Sequence, residues 1–493
     1  MSSNTDNSIT DFSQYQPRMK PNKAGKLNSG RTVMLSLSFF TVLMAWSYFN
    51  FKVPLILDGF LESSGVSAVQ TTKGTIMALD NLVGVIFQPF FGSLSDRTRS
   101  KYGRRMPFII IGTFSSAVFF IAIPLVQVLA GLVVIIFLFD FSMAIFRSIS
   151  IAILPDYTVD KYRSKASAIQ QFIANMGGVL AFAIPMITGL FTFTEGSVWV
   201  DLVGFVIVAV AMVFAVILQI IFIKETPTGE KFFERNKVTI EINPLTFSVH
   251  EKAEESEVKH ESGFAEIKTI FRAKDKSFRN MLFVVFFAYT GFAAVEAFFS
   301  SFVVNYMGKA ESLAGTLFMA YSVPMILTAY FWGLLGQKIG RKKAARFGLI
   351  GIVVAVAIFS FVVVPNIYNP VPGLETTLDS WDYIVMINLA CVSMPWMCFI
   401  VNSFPIIWGL APKGKIGTYT GIYYTFNQFA YSWAPILAGL NLDFLQGEGS
   451  SQYQGLFPLV LVCMVLALIF MFLVKSGGVN SSQEEIEEYE EKY

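Results

Sequence analysis

The sequence predicts an all-α integral membrane protein with twelve transmembrane helices in two pseudo-symmetric six-helix bundles. Three observations predict it. Apolar runs of the roughly twenty residues a helix needs to cross the hydrocarbon core recur along the whole chain. Lys and Arg concentrate in alternate connections between those runs, and a Gly- and Arg-rich loop occurs at the same place in each half of the chain.

The spans fall near 33–57, 72–94, 106–128, 130–153, 165–192, 199–223, 279–306, 312–335, 345–365, 382–411, 413–440 and 455–474. Composition agrees: 54% of the 493 residues are apolar and only 15% are charged, too apolar for a water-soluble chain of this length. The first 30 residues are polar, with no apolar core before a cleavage site, so no removable signal peptide is expected and the first span serves as the insertion signal. Bases cluster in 96–105, 161–165, 224–279, 338–346 and 413–415, whereas 58–71, 193–198, 366–381 and 441–454 carry acids and almost no bases. By the positive-inside rule both termini are cytoplasmic in a multi-pass protein of the cell membrane. The expected organisation is a cytoplasmic tail (1–32), a first bundle (33–224), a polar linker (225–278), a second bundle (279–474) and an acidic cytoplasmic tail (475–493). Both histidines, His250 and His260, lie in the linker.

Lys+Arg and Asp+Glu nearly cancel, 37 against 35, so overall charge points to no nucleic-acid partner. Three cysteines, all inside apolar spans and without a Cys-x-x-Cys, argue against a disulfide framework or a zinc site. No nucleophile–base set or phosphate-cradling loop is present, so an enzyme is not expected, nor a cofactor. The lipid bilayer is an expected partner, the resemblance described below adds a small-molecule sugar, and the chain is expected to work as a monomer.

The stretch from Asp80 to Gly112, DNLVGVIFQPFFGSLSDRTRSKYGRRMPFIIIG, joins the second and third spans. Its Gly92, Asp96, Arg97, Gly103, Arg104 and Arg105 put cations with planar donor forks beside a carboxylate. Such a network suits a cytoplasmic gate that latches the two bundles, with Arg163 and Arg341 as further members. A degraded copy, Gly333-LLG-Gln337-Lys338-Ile-Gly340-Arg341-Lys342-Lys343, lies between spans eight and nine. Gln337 there replaces Asp96, so the latch is expected to be lopsided. The duplication implies two halves related by an axis along the membrane normal.

Ionisable residues inside spans are expensive and therefore functional candidates. They are Asp80 in span two, Asp140 and Arg147 in span four and Glu296 in span seven. Asp140 and Arg147 are seven apart, on one helical face two turns from each other. Reversible binding of a proton or cation is the chemistry such a cluster supports, with carboxylates as carriers because no histidine is available. Lys52, near the outer end of span one, reads as a snorkelling cation. Sugars need hydroxyl partners and flat apolar faces. Trp46, Tyr48 and Asn50, then Asn81, Gln170, Gln171 and Asn175, and finally Tyr289, Tyr424, Asn427, Gln428 and Tyr431 offer that mixture.

The loop after span two resembles the signature of the major facilitator superfamily. Its longer form, QPFFGSLSDRTRSKYGRRMPFI, resembles more narrowly the glycoside–pentoside–hexuronide:cation symporters and the sucrose-transporter-like branch. Asp80-Asn81 with Gln88-Pro89 looks like that branch's second helix, and FRSISIAILPDYTVDKYRSKASA, with Arg147, Pro155, Asp156 and Arg163, like its connection from helix four to helix five. AVEAFF resembles its seventh helix at Glu296, and GIYYTFNQFAYSWAPILAG its eleventh at Gly421, Tyr423, Tyr424 and Pro435. The resemblance implies uptake of a di- or oligosaccharide by alternating access, coupled to H+ or to Na+. Gly84 stands where melibiose-type members have a second aspartate, which favours H+. The rival readings are a proton-coupled exporter and a sugar sensor that signals through the linker or acidic tail.

Overall fold

The computed structural model describes residues 27–98, 100, 102–158, 163–189, 198–223, 275–369, 375–411, 416–445 and 451–475. The linker with His250 and His260, most of both tails and the basic loop at 413–415 lie outside the described residues.

Twelve long helices account for nearly all of the described chain. The first half contains α1 (Ser29–Ser63), α2 (Val69–Arg97), α3 (Met106–Ala122), α4 (Leu129–Asp156), α5 (Arg163–Thr188) and α6 (Val198–Phe222). The second contains α7 (Ser277–Ser301), α8 (Glu311–Ile339), α9 (Arg341–Ile358), α10 (Ser380–Leu410), α11 (Ile416–Phe444) and α12 (Leu456–Phe472). Eleven of them are long and apolar enough to cross a membrane by composition alone. The twelfth, α11, has the polar run Thr425-Phe426-Asn427-Gln428 in its middle, which lowers its hydropathy and marks it as a helix facing something other than lipid.

The packing repeats with a shift of six helices. In the first half α1 packs on α5 and α6, α2 on α4, and α3 on α4 and α6; in the second, α7 packs on α11 and α12, α8 on α10, and α9 on α10 and α12. This is the duplication seen in sequence, now visible as two bundles of one design. Its clearest local trace is a pair of glycines. Gly103 and Gly340, each just ahead of a third helix and its basic turn, have φ of +93° and +90°, a region a Cβ disfavours.

Outward-facing Ile111, Val118, Val210, Phe214, Val354 and Ile387 are exposed, as side chains bathed in lipid must be. Helix ends widen where the backbone turns away: α7 runs on into a π turn (Phe302–Tyr306) and α9 into another (Phe359–Val363). These turns stack Phe302 on Tyr306 and pack it against Phe457, and the Tyr306 hydroxyl donates to the Val364 carbonyl.

The halves touch through α1 with α7, α2 with α11 and α5 with α8. The close approaches gather at the end that carries the acidic loops. There Gly315 of α8 abuts the Phe182 carbonyl of α5, Gly189 at the end of α5 abuts Ser312 of α8, and Asp443 of α11 accepts from the start of α2. Toward the basic-loop end, Leu82, Ile86, Phe90 and Leu94 of α2 and Leu327, Tyr330 and Phe331 of α8 stand exposed. The described contacts between the halves are therefore closest at the acidic end, and α2 and α8 lie exposed toward the basic end.

A loop cluster secures the acidic end of the second half. Lys309, buried in the α7–α8 connection, lies 2.6 Å from Glu375 and 2.9 Å from both Asp379 and Asp382. Burial alone would lower the Lys309 ammonium, but hydrogen bonds to Glu375, Asp382 and Asp379 outweigh it and hold it above its ordinary value. Burial alone would likewise raise Asp379. The Lys309 bond and the backbone N–H groups of Asp382 and Trp381 reverse this and hold the carboxyl below the usual range.

Candidate functional site

Three helices, α2, α4 and α7, bring their ionisable residues to one place in the middle of the bundle, beside Trp46 and Asn50 of α1. Arg147 of α4 lays its guanidinium over the Trp46 ring of α1, 4.0 Å from the centroid. That stacking gives a cation in a dry interior an electron-rich face as well as carboxylate neighbours. Asp80 of α2 and Asp140 of α4 are buried side by side within the field of Arg147, and Glu296 of α7 also acts on Asp80. Among the described residues no donor reaches either Asp140 oxygen. Asn50 of α1 donates through Nδ2 to Glu296 Oε1 at 2.9 Å, a hydrogen bond that runs from one half to the other.

A small cavity lies against this cluster. Asn50, Met77 and Asn81 line it from the first half and Glu296, Tyr431 and Pro435 from the second, with Ala293 and Ala297 as its floor. The Asn81 side-chain oxygen is buried without a partner among the described residues, so it is an acceptor left open beside the cavity. Behind Tyr431 the second half packs an aromatic cluster. Trp396 of α10 stacks flat on Phe292 of α7 at 4.9 Å, and Tyr289 meets Trp396 edge-on at 5.4 Å. Tyr431 packs on Tyr289, and the hydroxyls of Tyr289 and Tyr423 are 3.4 Å apart.

Asp80, Asp140, Arg147 and Glu296 are thus brought together, with Trp46, Asn50, Asn81 and Tyr289 around them. Buried Asn427 and half-buried Gln428 lie on α11, and Gln428 approaches Gly84 of α2. Tyr424 is half-exposed beside Tyr423 and Phe404. Asn175 is half-buried on α5.

Other residues stand elsewhere than the sequence reading put them. Tyr48 packs among Phe51, Phe120 and Phe205 with its hydroxyl against Gly204, on the side of α1 that meets α3 and α6. Gln170 spends its amide on the Ser150 carbonyl of α4 at 3.2 Å, and Gln171 points outward. Lys52 does not snorkel: it is buried, paired with Asp201 at 2.6 Å and with Glu311 of the other half. Trp396 and Phe292 were missed. The only signal for Trp396 was a Trp following Pro395 in the middle of a span, and for Phe292 there was none.

Among the described residues of the basic loop, Arg105 reaches Asp96 at 2.6 Å and Asp156 at 2.9 Å, and Arg104 reaches Asp156 at 2.9 Å, all within the first half. Ser95 ties the loop further, donating to the Arg104 carbonyl and accepting from Arg105. Asp156 serves as a partner because α4 ends next to the loop. Arg97 is exposed in the last turn of α2, while Arg163 and Arg341 open α5 and α9.

Two six-helix halves thus meet around a small cavity that both of them line with polar side chains. The chain matches the Major Facilitator Superfamily over residues 35–435 and again over 281–490, and it belongs to that family. It is accordingly a secondary transporter and not an enzyme. A sucrose transport protein of Arabidopsis thaliana, SUC3, is 28% identical over 108 residues, 21% of this chain; the matched region spans only 18% of that protein's length. Among solved structures, a D-xylose-proton symporter superposes with a TM-score of 0.65 at 12% identity, covering 91% of this chain and 98% of that one. A bacterial homologue of the human lysosomal transporter Spinster, in an inward-facing and occupied conformation, gives 0.63 at 14% identity, over 91% and 97%. These similarities concern the fold.

Proposed function

We propose that the chain imports a glycoside, a di- or oligosaccharide, by alternating access, with H+ as the coupling ion and Asp80, Asp140 and Glu296 as the groups that take it. The observation that carries this reading is the Asp80–Asp140 pair beside Arg147, joined to the cavity through Glu296 and Asn50. Two carboxylates side by side away from water repel each other, and one nearby cation offsets only one of them. A proton that arrives and leaves with the substrate removes the remaining repulsion. Glu296 is both an acceptor for a sugar hydroxyl and a member of the cluster's electrostatic field, which is the link symport requires. Tyr431, backed by Tyr289 and Phe292, offers a sugar C–H face an aromatic ring at the cavity, and Asn50 and Asn81 offer amides. The stretch of likeness to a sucrose transport protein supports the sugar class.

Sodium coupling is the second reading, favoured by one observation: Asp140 stands beside Asp80 and supplies from α4 the second carboxylate that α2 lacks at Gly84. Uptake of labelled sucrose, maltose and melibiose into proteoliposomes separates the readings. Accumulation driven by an acid-outside gradient supports H+ symport, accumulation driven only by sodium moves the site to the cation reading, and no sugar movement under either gradient removes the glycoside assignment.

A further inference from the structure

Among the described residues, three sets of polar contacts join the halves at the acidic end, and they differ in what happens when the halves part. Lys73 of α2 is completely buried, 2.5 Å from Asp58 of α1, and it also donates to Ser301 of α7 at 3.1 Å and to Tyr453 ahead of α12 at 3.0 Å. Asp58 accepts in turn from Ser301 and Asn305. On separation Lys73 keeps its carboxylate, because Asp58 belongs to its own half, and it loses only hydroxyl partners. Lys52 behaves the same way: Asp201 of α6 stays with it when Glu311, already partly exposed, moves away. Neither lysine is stranded, and so neither contact carries the large cost of an unpaired buried charge.

The third contact has no such reserve. α2 starts at Val69, and its preceding residue, Ala68, offers no side-chain cap. The cap comes from the other half: Asp443 near the end of α11 accepts from the N–H of Gln70 at 3.1 Å and of Thr71 at 2.7 Å. A carboxylate on two free N–H groups at a helix N-terminus combines charge-assisted hydrogen bonds with the favourable end of the helix dipole. The backbones must come close for it to reach. A Cβ on Gly439 would lie 2.3 Å from the Gln70 carbonyl oxygen, and one on Gly74 would lie 2.1 Å from that of Pro435. Gln70 also accepts from Tyr453, so the Asp443 cap and the Lys73 network meet at one residue.

We propose that Asp443 is the positioning residue that sets the closed–open balance of the acidic-end gate: its carboxylate must leave the N-terminus of α2 before the cavity opens there. The proposal rests on the alternating-access reading. It explains why the two lysine contacts are built to survive separation, whereas the capping contact exists in one state only.

The test uses the full-length protein with its three cysteines replaced, reconstituted and spin-labelled in pairs. Ser63→Cys with Asn366→Cys reports the acidic end, and Tyr102→Cys with Lys343→Cys reports the basic end. Wild type should show two acidic-end distances whose proportions respond to a disaccharide and a pH gradient. Asp443→Ala should raise the long-distance population about five-fold, the effect expected of a lost N-cap, and Asp443→Asn should give a smaller rise because one acceptor oxygen remains. The basic-end pair should shorten in the same proportion, which a merely loosened fold would not produce. Unchanged proportions in Asp443→Ala, with wild type showing both distances, overturn the proposal. A single distance in wild type under every condition overturns alternating access itself, and the proposal with it.

Discussion

The Asn50 amide donates to the Glu296 carboxylate at 2.9 Å, joining α1 of the first half to α7 of the second directly beside the cavity. In the proposed mechanism a sugar hydroxyl that takes over Glu296 Oε1 from Asn50 also loosens a contact between the halves.

Glu296→Gln keeps a carbonyl oxygen able to accept from Asn50 but removes the ionisable group. Gradient-driven accumulation should fall at least tenfold, while exchange of labelled for unlabelled sugar persists, as radiolabel counterflow will show. A loss of roughly one good charged hydrogen bond corresponds to this size. Asn50→Ala should instead weaken substrate retention and leave coupling intact.

Arg147 sits on Trp46 as well as beside the two aspartates. Arg147→Lys preserves charge but loses the planar stack, and it should slow uptake roughly tenfold. Trp46→Leu should slow it in the same direction by less, since the carboxylates remain. Initial uptake rates at saturating sugar are the measurement.

The Tyr431 ring at the cavity predicts a substrate contact that is not ionic. Tyr431→Ala should raise the KM for a disaccharide about threefold to tenfold, the worth of one aromatic contact, with the proton-to-sugar ratio unchanged. A change in that ratio would place Tyr431 in coupling instead.

The Lys309 cluster predicts a pH dependence of stability. Asp379 is held below its ordinary value, so its contribution is present above the unfolded carboxyl's value and is lost as pH falls through the lower, folded one. Lys309 is held above its ordinary value, so its contribution is present below the unfolded amine's value and is lost as pH rises through the higher, folded one. The difference in Tm between wild type and Lys309→Met should therefore be flat from about pH 5 to about pH 9 and shrink below about pH 4. Thermal unfolding in detergent across that range will show it.

The fold was legible because its determinants are local and repeated. Apolar length sets each helix, and the glycine of Gly103-Arg104-Arg105 recurs as Gly340 in the same backbone region. Charges inside apolar spans were legible too, since each must find company, and Asp80, Asp140 and Arg147 did. What could not be read was direction around a helix. Tyr48 is only two residues from Trp46 and two from Asn50, yet a step of two turns a side chain through more than half a circle, onto the α3 and α6 face. Partner choice was hidden for a similar reason. Asp156 lies some fifty residues beyond Arg105 in sequence, and only the end of α4 brings it to the basic loop.

In the proposed mechanism sugar and proton cross together. The most direct measurement uses proteoliposomes with a pH-sensitive dye in the lumen, no imposed gradient, and a disaccharide added outside. The lumen should acidify on sugar addition, and Asp140→Asn should abolish the signal while downhill sugar entry continues. Sugar entry with no movement of protons in the unaltered protein would contradict it.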